Sequence, residues 1–139
     1  MSTSPDDFNA RIIDEFRANE GRVGGPFEGG TLLLLHHVGA RTGTPRTNPL
    51  MYMADGDRYV VFASKAGAPT NPDWYHNLKA NPNTTIEVGT DTIDVVASEA
   101  TGQERDRLYS TQAERRPQFA EYQANTDRVI PVVLLTPTG

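Results

Sequence analysis

The pattern of apolar and polar positions divides the chain into short segments of two periodicities. Phe8, Ile12 and Phe16 recur every four residues between Pro5 and Asn19, the spacing of one helical face, and Ser4-Pro5-Asp6-Asp7 supplies a cap and an acidic first turn. The stripe is narrow, so the helix is expected to lie on a body built elsewhere; peripheral contact with a membrane would use the same face. A glycine-rich lead-in, Gly21 to Gly30, precedes Thr31-Leu-Leu-Leu-Leu-His-His37, a short apolar run that reads as a strand buried on both faces. Thr47 to Ala54 then alternates toward the turn signal Asp55-Gly56-Asp57, and Arg58 to Ser64 returns as its hairpin partner. Thr84 to Val88 and Thr92 to Ser98 form a second hairpin, and Val129 to Leu135 a final strand with Pro131 at an edge or strand start.

Helices fill the intervals. Asn71-Pro72 opens a short one, with Asn71 as N-cap, and Asn81-Pro82 closes it. Thr101-Gly-Gln-Glu104 is a capping box for a helix to about Arg115, with Leu108 and Tyr109 facing inward. Beyond Pro117, a further helical piece carries Phe119 and Tyr122 on one face. Six strands, about four helices, two hairpins and no regular βαβ alternation predict an α+β fold with a mostly antiparallel, barrel-like sheet and peripheral helices. The 139 residues suit a single domain, 1–139, in which 1–30 are the N-terminal helix and lead-in.

Composition narrows the function. There is no cysteine, hence no thiolate chemistry and no sulfur ligand for zinc, and no secretory leader or membrane-spanning run, which together predict a cytoplasmic protein. A net charge of −5 argues against nucleic-acid binding. Residues 31–80 run the other way, with five Lys/Arg against three acids. Clustered positive charge in an acidic protein can mark an anion site.

Three segments in that window could hold a ligand. Gly39-Ala-Arg-Thr-Gly-Thr-Pro-Arg46 lies between two strands and combines glycines that let amides turn toward an anion, threonine hydroxyls, and guanidinium groups able to hold two phosphate oxygens. It is neither a Walker loop nor a dinucleotide fingerprint, and a plain polar connection would use the same residue types. Ala63-Ser64-Lys65 sits at a strand end, where ligands are often held; with no Gly-x-Ser-x-Gly elbow, Ser64 is not read as a nucleophile. Asn71 to Leu78 contains the sole tryptophan at a helix start, where Trp74 and Tyr75 could wall a flat ring; Trp74 and Leu78, four apart, could equally be the buried helix face. His36 and His37 are adjacent on a strand and point to opposite faces, His76 stands alone, and no metal site is expected.

Gly39 to Leu50, Ala63 to Gly67 and Asn71 to Pro82, in this order and spacing, resemble the deazaflavin-dependent nitroreductase family of actinobacteria. The resemblance extends from Glu15 to Pro131. It implies a split β-barrel that binds coenzyme F420, an 8-hydroxy-5-deazaflavin with a phosphate and an oligoglutamate tail, and transfers hydride to an electron-poor acceptor such as a quinone, enone or nitro compound. Carried over by position, Arg41, Thr42, Arg46, Thr47, Asn48, Pro49 and Leu50 match cofactor-binding stretches, as do Ala63, Ser64, Lys65, Trp74, Tyr75 and Asn77. Ser64 is the candidate hydrogen-bond donor to the acceptor and Tyr122 the candidate proton donor, with Arg116, Phe119 and Tyr122 shaping the substrate pocket. Nitroimidazole-activating members carry several tyrosines in this late segment. The single hydroxyl here argues against that activity.

Two other readings compete. FMN could occupy the same barrel, since a phosphate loop and ring platform serve either cofactor, and a non-enzymatic protein could store deazaflavin. Barrel domains of this size often pair, so a homodimer is one of the assemblies the sequence allows.

Overall fold

A computed structural model describes residues 5–19, 32–64 and 70–138, with side chains from residue 10 onward. The glycine-rich lead-in, the Phe8 side chain and Lys65 lie outside that set. The strands β1 (Leu32–Val38), β2 (Pro45–Asp55), β3 (Arg58–Phe62), β4 (Asn83–Val88), β5 (Asp91–Ala100) and β6 (Val132–Pro137) close into a barrel in the order β1-β2-β3-β6-β5-β4. Every pairing is antiparallel, including the β1–β4 contact that shuts the ring. Four helices accompany it among the described residues: α1 (Pro5–Ala18), α2 (Asp73–Ala80), α3 (Gly102–Arg115) and α4 (Gln118–Ala124).

The closed ring explains the apolar run in β1, because both of its faces are covered. Leu33 and Leu35 point into the barrel beside Val61, Ile86, Val95, Val133 and Leu135. Leu32 and Leu34 point outward onto Ile12 and Phe16 of α1, so these two positions of the helical stripe are spent on packing. An ion pair between Arg17 and Glu87, at 2.7 Å, fastens α1 to β4 and holds the Glu87 carboxyl below its ordinary pKa. On the far side, α3 and α4 cover the outer faces of β3 and β6 through Leu108, Tyr109 and Phe119 against Phe62, Val132 and Leu134. Both Leu108 and Tyr109 are buried, as their helical spacing predicts.

The Asp55-Gly56-Asp57 hairpin forms as expected, with Gly56 at φ +60 and Asp55 paired to Arg58 at 2.5 Å. Three boundaries differ from the sequence reading. The last strand begins at Val132 rather than Val129, whose side chain is 70% exposed, because Pro131 cannot donate to a ladder. Pro72, not Asn71, is the N-cap of α2, and the Asn71 side chain accepts a hydrogen bond from Arg128 instead. Thr101 caps α3 with extended backbone but makes no side-chain cap hydrogen bond, so the expected capping box does not close. Among the described residues, no helix is long and apolar enough to cross a membrane.

Candidate functional site

Strand directions gather the candidate segments at one end of the barrel. The ends of β1 and β3 and the starts of β2 and β6 all emerge there, a consequence of the antiparallel pairing. Helix α2 plugs this mouth. Trp74 and Leu78, 5% and 3% exposed, reach down into the barrel core, so Trp74 takes the packing role that its spacing from Leu78 allowed.

Between α2 and the β1–β2 loop lies a cleft of about 460 Å³ lined by Gly39, Ala40, Arg41, Thr42, Arg46, Asp73, His76 and Asn77. The loop closes on itself through Gly39 N–H to Thr44 O at 3.0 Å and Gly43 N–H to Gly39 O at 2.9 Å. A Cβ at position 39 would sit 2.5 Å from Thr42 Oγ1, so a larger residue there would displace the Thr42 side chain. Among the described residues, neither Arg41 nor Arg46 enters an ion pair, and both are exposed at the cleft. Two guanidiniums, a hydroxyl and glycine-permitted backbone, against one carboxylate, form a donor set suited to a phosphate.

A buried chain of hydrogen bonds lies behind this cleft. Ala40 N–H donates to Asn77 Oδ1 at 2.9 Å, Asn77 Nδ2 lies 2.9 Å from His37 Nδ1, and His37 Nε2 lies 2.6 Å from Asn48 Oδ1. His37 is 3% exposed, and its burial pulls its pKa below the ordinary 6.5. The expected opposition of the two histidines holds: His36 faces outward, to Glu87 at 2.7 Å. In the sequence His37 is set aside with His36, because neighbours on a strand point to opposite faces and cannot form a ligand pair. Only the pairing of His37 with Arg46, in register with Leu35 and Asn48, reveals its place at the mouth.

The other candidates fall around this center. Arg46 and Asn48 alternate toward the mouth, while Thr47 and Pro49 share the outer face with His36 and Leu34, their partners in register. Leu50 packs against the barrel core, and Ala63 is fully buried within it. Tyr75 turns away from the cleft: its hydroxyl donates to Glu99 Oε1 at 2.6 Å, and burial together with that carboxylate pushes its pKa up to about 12. Ser64 is buried just past the end of β3, held by a residue that belongs to none of the three candidate segments. Arg128 Nη2 donates to Ser64 O at 2.8 Å, while its Nη1 donates to Ala63 O at 3.1 Å and Asn71 Oδ1 at 2.6 Å. Phe119 meets Phe62 edge to face at 5.5 Å and Tyr122 at 5.2 Å, so α4 stands over the end of β3, two residues before Ser64. Arg116 is half-buried at the end of α3.

Fold and site together define a small split-barrel protein with a plugged mouth and an arginine-lined cleft beside it. The sequence pattern of F420H(2)-dependent quinone reductases matches residues 10–137. The F420H(2)-dependent quinone reductase of Mycobacterium tuberculosis is 44% identical over 125 residues, 87% of this chain and 84% of the relative. A solved F420-H2 dependent reductase is 39% identical, with a TM-score of 0.69, covering 75% of this chain and 92% of its own. A solved domain-swapped dimer is 35% identical, with a TM-score of 0.71, covering 95% and 99%. The chain belongs to the F420H(2)-dependent quinone reductase family.

Proposed function

We infer that this protein is an F420-dependent reductase that passes hydride from reduced coenzyme F420 to a quinone. The observation that carries this reading is the pair of guanidiniums, Arg41 and Arg46, free of ion pairs among the described residues and set at a barrel mouth in a family of F420-dependent enzymes. The donor set fits the cofactor's phosphate. When bound, the deazaflavin supplies the hydride. The chain's own residues bind, orient and exclude water. Arg41, Thr42 and Arg46 receive the phosphate, Asn48 and Asn77 fix the loop beside it, and Ser64 donates a hydrogen bond to the acceptor oxygen as negative charge develops there. Phe119, Tyr122 and Arg116 wall the acceptor side, with Tyr122 returning the proton. The protein acts in the cytoplasm, and a homodimer is its proposed assembly, supported by the domain-swapped dimer among its structural relatives.

Anaerobic mixing of the protein with reduced F420 and a panel of quinones, enones and nitroaromatics tests the reading through the recovered absorbance of oxidised cofactor. Quinones are expected to give the fastest turnover. Binding of F420 without turnover on any acceptor would leave a carrier protein, and tight FMN binding without F420 binding would overturn the cofactor.

Ser64→Ala is expected to lower kcat by about 100-fold or more, the loss typical of removing one charge-stabilising donor, while the dissociation constant for F420 changes less than about threefold. Equal losses in both would remove Ser64 from the acceptor side.

A further inference from the structure

The backbone fixes the tautomer of His37. Ala40 N–H can only donate, so the Asn77 atom facing it, at 2.9 Å, is the carbonyl Oδ1. The Asn77 amide nitrogen then faces His37 Nδ1 at 2.9 Å, and that ring nitrogen must accept. The proton of the neutral imidazole therefore sits on Nε2, which donates to Asn48 Oδ1 at 2.6 Å. That bond fixes which way the Asn48 amide is turned, with its oxygen toward the ring and its two amide hydrogens not used by His37.

We propose that His37 is a positioning residue, whose neutral Nε2–H tautomer fixes the orientation of the Asn48 amide and locks Asn77 onto the phosphate loop at Ala40. The inference rests on the cofactor reading above and deepens it: anion affinity in the cleft depends on a ring that does not touch the anion. A second proton, on Nδ1, would face the amide hydrogens of Asn77. Relieving that clash means turning the amide, which sets its nitrogen against Ala40 N–H and releases the loop.

The surroundings favour the neutral ring over the neutral pH range. Burial acts most strongly against protonation, joined by Arg46 from β2 and His36 from β1, whereas the Asn48 hydrogen bond and Asp73 of α2 act the other way. Arg41 and His76 line the adjoining cleft. Because the folded pKa lies below the ordinary 6.5, the unfolded chain takes the proton more readily, and this group lowers stability as pH falls through about 6.5.

Two measurements test the proposal. Two-bond 1H–15N correlation spectra of the ligand-free protein at pH 8 should show a protonated Nε2 and an unprotonated Nδ1 for His37; the opposite tautomer would overturn it. The dissociation constant for oxidised F420, read by fluorescence, should rise by about tenfold or more between pH 8 and pH 5 in the wild type. Positive charge gained by other groups at the cleft on acidification would tighten an anion, so it works against this rise and cannot produce it. His37→Gln, whose amide can accept from Asn77 and donate to Asn48 without titrating, should bind within about threefold of wild type at pH 8 and lose at least half of the acid-side rise. His37→Leu should bind about tenfold more weakly at pH 8 while retaining its circular dichroism spectrum. A Gln variant with an unchanged pH profile, or a Leu variant that binds normally, would overturn the positioning role. Failure of the wild type to bind F420 at pH 8 would instead reject the cofactor reading, while the tautomer would still be read without ligand.

Discussion

Replacing Arg41 and Arg46 together by alanine should raise the dissociation constant for oxidised coenzyme F420 by about 30- to 150-fold at low salt. Both side chains are exposed at the cleft and enter no ion pair among the described residues, so their removal orphans no buried group and should leave folding intact. Hydrogen bonds to charged groups contribute about 1.5–3 kcal/mol each. Exposure and screening reduce that here, and about 2–3 kcal/mol for the pair corresponds to the stated range. Salt provides an internal control. Wild-type affinity should weaken as ionic strength rises, and that dependence should flatten in the double variant. A shift smaller than about threefold would place the phosphate elsewhere.

Arg128→Leu should destabilise the fold by about 2–4 kcal/mol, which for a chain of this length lowers Tm by about 10 °C. The guanidinium bridges Ala63 O, Ser64 O and the Asn71 side chain, three acceptors that leucine leaves without this donor at the barrel mouth. Burial draws the Arg128 pKa down, yet from a starting value high enough that the charge persists. The loop that presents it is held in turn by Arg105, which donates to Ile130 O at 2.9 Å, and by Gln123, which donates to Arg128 O at 2.8 Å. Arg128→Lys should recover less than half of the loss, because an ammonium lacks the planar fork that spans separate acceptors. Thermal unfolding within about 2 °C of wild type would show that the bridge is dispensable.

How much of this was legible in the sequence depended on whether the deciding interaction was local. Gly56 and its flanking aspartates specify their turn within a few residues, and the hairpin formed as read. The Asn71-Pro72 cap and the Thr101 box were also read from local rules, but a tertiary partner, Arg128, took the Asn71 side chain, and Thr101 was left without a side-chain bond. Barrel closure rests on β1 meeting β4, and no spacing rule carries a pairing such as Leu35 with Ile86. At the site, arginines and glycines advertise themselves by chemistry. His37 and Arg128 act through partners at separations from 11 to 65 residues, so their roles appear only once the chain is folded. Tyr75 shows the converse, an aromatic with a suggestive position whose hydroxyl belongs to Glu99.

The position of β6 has a consequence for how the protein is made. It is the last strand of the barrel to leave the ribosome, yet it must insert between β3 and β5, pairing with both. Until Val132 to Pro137 emerge, the strands already made can form only one open sheet, β5–β4–β1–β2–β3, whose two edges, β3 and β5, lack their partner. Synthesis stalled before Val132 would thus yield a fragment with sticky sheet edges, a substrate for chaperones and proteases.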